Sequence, residues 1–235
     1  MAEPSQPREI RQHRFTRPPG AAELLLVRHG ESAAAVEGQM FPMTEDGHGD
    51  PPLHPMGEQQ AVLVADRLES EDISAIYVTT LQRTAQTAAP LAERLGLTPV
   101  IEPRLREVHL GEWEGGVFRK HVAEQHPLAV KMQLEGRWDV IPGAEPADAF
   151  RARVRDAIVD IATRHADQCV VVVSHGGVMG EILAMATGGR PFAFNGSDNA
   201  SISHLVVWGD RWILRRFNDT AHLGLALSVR PEPLT

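Results

Sequence analysis

The sequence predicts an α/β chain: a three-layer α/β/α sandwich around a mostly parallel sheet, with a helical insertion lobe. Three observations carry that expectation. Leu24-Leu25-Leu26-Val27 is a short, unbroken apolar run that stops at Arg28-His29-Gly30, as suits a strand buried on both faces. A second such run, Cys169-Val170-Val171-Val172-Val173, stops at Ser174-His175-Gly176-Gly177. Between and after them, segments of helical spacing alternate with short apolar runs. Ligands of open α/β sheets collect beyond the carboxyl ends of the strands. A capping turn with an incidental histidine explains one His-Gly ending; two such endings predict two imidazoles side by side at one edge of the sheet.

Taken in order, residues 1–22 carry four prolines and Arg8, Arg11, Arg14 and Arg17 with few large apolar side chains, the composition of a flexible arm. Residues 39–55 hold Pro42, Gly47, Gly49, Pro51 and Pro52 and read as a polar loop placed where a lid or specificity loop would lie. His48 and His54 in it are either substrate contacts or simply exposed. Pro55 to Glu69 is a predicted helix with proline near its start, and Ile73 to Val78 the next strand. Gln82 to Leu95 is a helix stopped by Gly96. Arg83 falls in its first turn, where the macrodipole disfavours a cation by about 0.3–1 kcal/mol, so the position suggests a functional rather than a surface arginine.

Pro99 to Glu102 forms a short strand. From Glu107 to Pro146 the rhythm breaks, and a helical pattern over Val117 to Leu134 predicts the inserted lobe, with Trp113 and Trp138 packing it. Phe150, Val154, Ala157, Ile158 and Ile161 mark a helix leading to the second His-Gly strand, which runs into helical spacing at Val178, Met179, Ile182 and Leu183. Ala200 to Trp208 and Arg211 to Phe217 are predicted strands of a hairpin turned at Gly209-Asp210. Asn218 to Thr235 reads as a closing loop and tail, so that one domain spans 23–223, with its lobe at about 107–146 and a tail at 224–235.

Composition narrows the classes. The chain has 235 residues, 43% hydrophobic and 23% charged, ordinary for a soluble globular protein. No apolar run approaches the ~18 residues of a membrane span, and the expectation is no membrane partner. A net charge of −8 leaves no basic face for nucleic acid; an anion would need a local positive pocket in a negative protein. One cysteine and the lack of an apolar leader fit a reducing cytoplasm. Position 175, six residues after Cys169, is histidine rather than arginine, which excludes a cysteine-nucleophile phosphatase loop. The eleven histidines form no metal-ligand spacing, His121 and His126 in the lobe included, and no P-loop glycine-lysine pattern is present. The expectation is therefore no metal and no cofactor, with a homodimer the only protein partner considered.

Five segments resemble, in order, the motifs of the histidine phosphatase superfamily, branch 1, the phosphoglycerate-mutase-like fold. They are Leu26-Val27-Arg28-His29-Gly30-Glu31-Ser32, Leu53-His54-Pro55-Met56-Gly57-Glu58-Gln59-Gln60-Ala61, Thr79-Thr80-Leu81-Gln82-Arg83-Thr84-Ala85-Gln86-Thr87-Ala88, Leu105-Arg106-Glu107-Val108-His109-Leu110-Gly111-Glu112-Trp113-Glu114-Gly115, and Val173-Ser174-His175-Gly176-Gly177. The resemblance covers about Glu23 to Leu223. It implies phosphoryl transfer through a phosphohistidine on His29, with Arg28, Arg83, His29 and His175 binding the phosphate and Glu107 as the general acid and base. Arg28 and Arg83 are the planar donors a phosphoryl group needs, and a neutral imidazole with a fixed tautomer is a competent nucleophile. Glu31, Glu112 and Glu114 are the rival carboxylates.

Mutases of the superfamily carry an asparagine three residues after the Ser/Thr that follows the nucleophile; here that position is Ala35. The expectation is therefore a metal-independent phosphomonoesterase, read as a broad-specificity acid phosphatase acting on small phosphate esters. A mutase, a dedicated sugar-phosphate or phosphoglycerate-derivative phosphatase, and a catalytically degenerate binding protein stand as alternatives.

Overall fold

The computed structural model describes residues 11–224; the expectations for 1–10 and 225–235 lie outside the described residues. Strand β1 (Ala22–Arg28) is followed by α1 (Pro55–Leu68), β2 (Ile73–Val78), α2 (Gln82–Leu95) and β3 (Val100–Ile101). Two short helices, α3 (Val117–Ala123) and α4 (Pro127–Glu135), form the lobe. Then come α5 (Ala147–Arg164), β4 (Cys169–Ser174), α6 (Gly176–Thr187) and the hairpin β5 (Ile202–Trp208) and β6 (Arg211–Asp219).

The six strands form one sheet in the order β3-β2-β4-β1-β5-β6. β3, β2, β4 and β1 are mutually parallel, and β5 and β6 add two antiparallel pairs at one edge. Apolar runs without polar alternation make the central strands because both their faces are covered. Leu24, Leu26, Val170 and Val172 face Phe150, Val154, Ile158, Ile182 and Leu183 of α5 and α6, all within 1% of complete burial. Val27, Val171 and Val173 face Val64, Ala65, Ala88 and Leu91 of α1 and α2. Each fully buried aliphatic side chain contributes about 1.5–3 kcal/mol relative to exposure. Among the described residues no helix is long and apolar enough to cross a membrane.

Two of three departures from the predicted elements have local causes. The pattern over Val117 to Leu134 is two helices, because Gln125 takes a left-handed φ of 53° and Pro127 begins the second. β6 runs on to Asp219, because Ile202 pairs with Asp219 and Asp198 is tied to Asn218 on both of its faces. β5 begins two residues late, at Ile202. Arg17 of the arm donates to the Asp167 carbonyl and lies 3.7 Å from Glu23, and the Arg215 guanidinium stacks over Phe15.

Candidate active site

β1 and β4 pair so that Arg28 is level with Ser174. The next residues, His29 and His175, therefore leave the sheet together, and the His29 amide continues the ladder to the Ser174 carbonyl at 2.9 Å. The two imidazole centroids lie 5.3 Å apart, edge to face. β2, on the other side of β4, delivers Thr79 and the first turn of α2, and with it Arg83. Glu107 arrives from the loop after β3.

His29 is 6% exposed. Its Nδ1 lies 2.7 Å from the Gly30 carbonyl, which can only accept, so the proton of the neutral ring is on Nδ1. Nε2 then carries the lone pair, and it accepts from Arg83 Nε at 3.2 Å. Burial, then the nearby Arg83 and Arg28 guanidiniums, push the His29 pKa well below its usual value. Burial and Arg83 do the same to His175, whose Nε2 meets the Thr79 hydroxyl at 3.0 Å while Nδ1 has no protein partner.

Both histidines therefore stay neutral in the fold while an unfolded chain would protonate them near pH 6.5. Because the folded values are lowered, their contribution to stability is full above pH 6.5 and is lost as pH falls below it. The slope is about 1.4 kcal/mol per pH unit for each ring. Thermal unfolding at pH 5.5 should come about 5–10 °C below that at pH 7.5. An unchanged melting temperature would show that the rings take up protons while folded.

Arg28 donates to the Ser197 carbonyl, and its Nε is buried without a partner. Arg83 donates to the Gly49 carbonyl at 3.2 Å and lies 3.7 Å from Asp50. Both guanidiniums are shifted down from their usual value by burial. Glu107 accepts from the Val108 and Gly177 amides, each at 3.0 Å. A Cβ on Gly177 would lie 2.6 Å from Glu107 Oε1, so the second glycine after His175 is what admits the carboxylate. Gly57 plays the same part for the nucleophile loop: a Cβ there would lie 2.0 Å from the Glu31 carbonyl oxygen.

Arg28, His29, Arg83, Glu107, Gly176 and Gly177 open onto one cavity of about 190 Å³, while His175 lies fully buried behind it. Of the rival carboxylates, Glu114 also lines the cavity and, like Glu107, accepts from two amides, those of Gly49 and Leu110, at 2.8 and 2.9 Å. Glu31 and Glu112 do not line the cavity. His48 does line it, stacked edge to face on His109. His54 instead caps α1, its Nδ1 accepting from the Met56 amide. His121 and His126 stack on Trp113 inside the lobe. Among the described residues no three His, Cys, Asp or Glu side chains are grouped to hold a metal ion.

Sequence reasoning missed four contributors. Thr79 holds His175. Thr87 donates to the Arg83 carbonyl and accepts from the Gly30 amide, at 2.7 and 3.0 Å, joining the two arms of the pocket. Arg153 of α5 donates to the carbonyls of Arg104, Arg106 and Glu107. Arg119 of α3 lines the cavity, donating to Ser32 Oγ at 2.7 Å and the Ala33 carbonyl at 2.8 Å. It sits in the first turn of its helix, so the criterion that singled out Arg83 would have found it; nothing in the sequence marks Arg153.

The sequence profile of the histidine phosphatase superfamily, branch 1, matches residues 24–220, which takes in every strand but the first residues of β1. The chain belongs to that superfamily. Phosphoglycerate mutase-like protein 4 of Arabidopsis thaliana is 35% identical over 209 residues, 86% of this chain and 87% of its own length. A metal-independent phosphoserine phosphatase of the same plant is 33% identical over 205 residues, 86% of this chain and 83% of its own. Among solved structures, the mycobacterial glucosyl-3-phosphoglycerate phosphatase superposes with a TM-score of 0.70 at 28% identity, covering 85% of this chain and all of that one. Superfamily membership and these phosphatase relatives support a phosphatase acting on small phosphorylated compounds.

Proposed function

We propose that the protein is a metal-independent phosphomonoesterase working through a phosphohistidine on His29. The observation that carries the reading is the fixed tautomer: with Nδ1–H on the Gly30 carbonyl, Nε2 is a lone pair facing the cavity wall beside Arg83. That nitrogen attacks phosphorus while the ester P–O bond breaks. Arg28 and Arg83 hold the equatorial oxygens, where charge is greatest in the transition state. Where the Thr79 hydroxyl donates to its Nε2, His175 carries its proton on the unpartnered Nδ1 and serves as a further donor. Glu107 gives its proton to the departing alkoxide. The same carboxylate then takes a proton from water, which attacks phosphorus; the P–N bond breaks, and inorganic phosphate and neutral His29 result.

Burial keeps the His29 ring unprotonated into mildly acidic solution, which supports the acid-phosphatase range read from the sequence; the single cysteine supports a cytoplasmic setting. Among the alternatives, a mutase is disfavoured by Ala35, an exposed methyl where a second polar grip on a bisphosphate would be needed. Hydrolysis of an aryl phosphate is expected to continue in EDTA and to be inhibited by vanadate and by inorganic phosphate. Activity that vanished on chelation and returned with a divalent cation would overturn the reading.

A further inference from the structure

A backbone carbonyl decides which nitrogen of His29 is free, and that carbonyl is aimed from outside the cavity. The Gly30 carbonyl, 2.7 Å from Nδ1, shares one planar peptide unit with the Glu31 amide. In a trans unit the C=O and the N–H point in opposite directions, so holding one end fixes the other. The far end is held by α1: the Glu31 N–H donates to Gln60 Oε1 at 2.8 Å. Gln60 is half-buried and stands three residues after Gly57, whose missing Cβ lets the loop lie against the helix. The units on either side are pinned as well. The Gly30 amide rests on Thr87 Oγ and the His29 carbonyl on Asn199 Nδ2, both at 3.0 Å, and the Glu31 carbonyl accepts from the His54 amide at 2.9 Å. Turned over, the Gly30–Glu31 unit would offer Nδ1 its N–H in place of its C=O. The ring proton would then sit on Nε2, and the lone pair needed for attack would face the backbone. Position 30 must be glycine, because a Cβ there would lie 2.5 Å from the Gly57 carbonyl oxygen, and glycine opposes such a turn only weakly.

We infer that Gln60 is a positioning residue for the proposed phosphoryl transfer: by accepting from the Glu31 amide it turns the Gly30 carbonyl onto His29 Nδ1 and leaves Nε2 free to attack. This rests on the phosphatase reading. Gln60 does not line the cavity, so it acts on the ring through a single peptide unit. A carboxylate does the same work directly on the imidazole of a Ser-His-Asp triad. An N–H can only donate, so the glutamine must present its oxygen.

The test compares Gln60→Met, which keeps the length of the side chain but removes the amide oxygen, with Gln60→Glu, which can only accept. Nitrogen NMR shifts of the His29 ring, read without substrate, report which nitrogen carries the proton. Rapid-quench rates of phosphoprotein formation report the consequence. The wild-type ring should be protonated on Nδ1. Gln60→Met should show a mixture of Nδ1–H and Nε2–H rings and form phosphoprotein about tenfold more slowly, the scale of one hydrogen bond. The loss should be the same on aryl and alkyl esters, because the leaving group is not involved, and binding of inorganic phosphate should be unchanged. Gln60→Glu should keep the wild-type ring and restore the rate. A role confined to stability predicts a lower melting temperature in Gln60→Met with the ring shifts of the wild type. Unchanged ring shifts, a wild-type ring protonated on Nε2, or a Gln60→Glu as impaired as Gln60→Met overturns the inference. Should Gln60→Met not fold, Gln60→Ala is read on the same criteria. Should the wild-type protein hydrolyse no phosphate ester, the phosphatase reading fails separately, and the ring shifts still decide whether Gln60 sets the tautomer.

Discussion

His29→Ala is expected to abolish turnover and phosphoenzyme formation together. The loss should be about 10⁴-fold or more, the scale on which enzymes lose rate when a nucleophile is removed. The reason is specific to this pocket. Water admitted to the space of the missing imidazole would lack the Gly30 carbonyl contact that fixes the proton on Nδ1, and Glu107 is committed to the Gly177 amide on the leaving-group side. Arg28, Arg83 and the Thr79–His175 pair stay in place, so the variant should still bind inorganic phosphate and vanadate. Rapid-quench trapping of acid-labile phosphoprotein with an aryl phosphate checks both halves. Retained phosphoprotein in His29→Ala would move the nucleophile elsewhere, with His175 the first candidate.

Glu107→Gln should divide substrates by leaving group. An aryl phosphate departs with little need of a proton, whereas an alkyl ester departs as a strongly basic alkoxide. The variant should therefore retain far more rate on the aryl ester, by a factor approaching the roughly 10²–10⁴ of a positioned general acid. Glutamine keeps one acceptor oxygen where the carboxylate serves both the Gly177 and Val108 amides, so a melting-temperature comparison with the parent accompanies the kinetics. Single-turnover kinetics should also show slower dephosphorylation, because the proposed mechanism has the same carboxylate activate water. Equal losses on aryl and alkyl esters would make Glu107 structural, and the acid would have to be sought at Glu114, the remaining carboxylate on the cavity wall.

Much of the sheet edge was legible because strands and their terminal residues are adjacent in sequence. Two apolar runs ending in His-Gly fixed the strand assignment, and the parallel pairing of β1 with β4 brought both rings to one side. Arg83 was legible from a mismatch with the helix dipole. The lobe was less so, since its break depends on a left-handed Gln125, a conformation that no composition rule requires of glutamine. Least legible were residues whose task is to hold another: Thr79, Thr87 and Arg153 lie 96, 57 and 46 residues from the groups they steady. Such pairings are created by the packing of elements and have no local signature. For the same reason His54, which shares its loop with His48, turned out to be a cap and not a cavity residue.

Arg153 gathers the Arg104, Arg106 and Glu107 carbonyls while its own helix is anchored by Phe150, Val154, Ala157 and Ile158. The loop that carries Glu107, the proposed acid, is thus held from the helical layer of the sandwich by Arg153. Helix α5 ties the packed interior to the backbone of the Glu107 loop through one side chain. A slight tilt of that helix, of the kind a smaller side chain at Val154 would allow, is expected to shift Glu107, the acid of the proposed mechanism. If Glu107 is the acid, the side chains that pack α5 would also set its position.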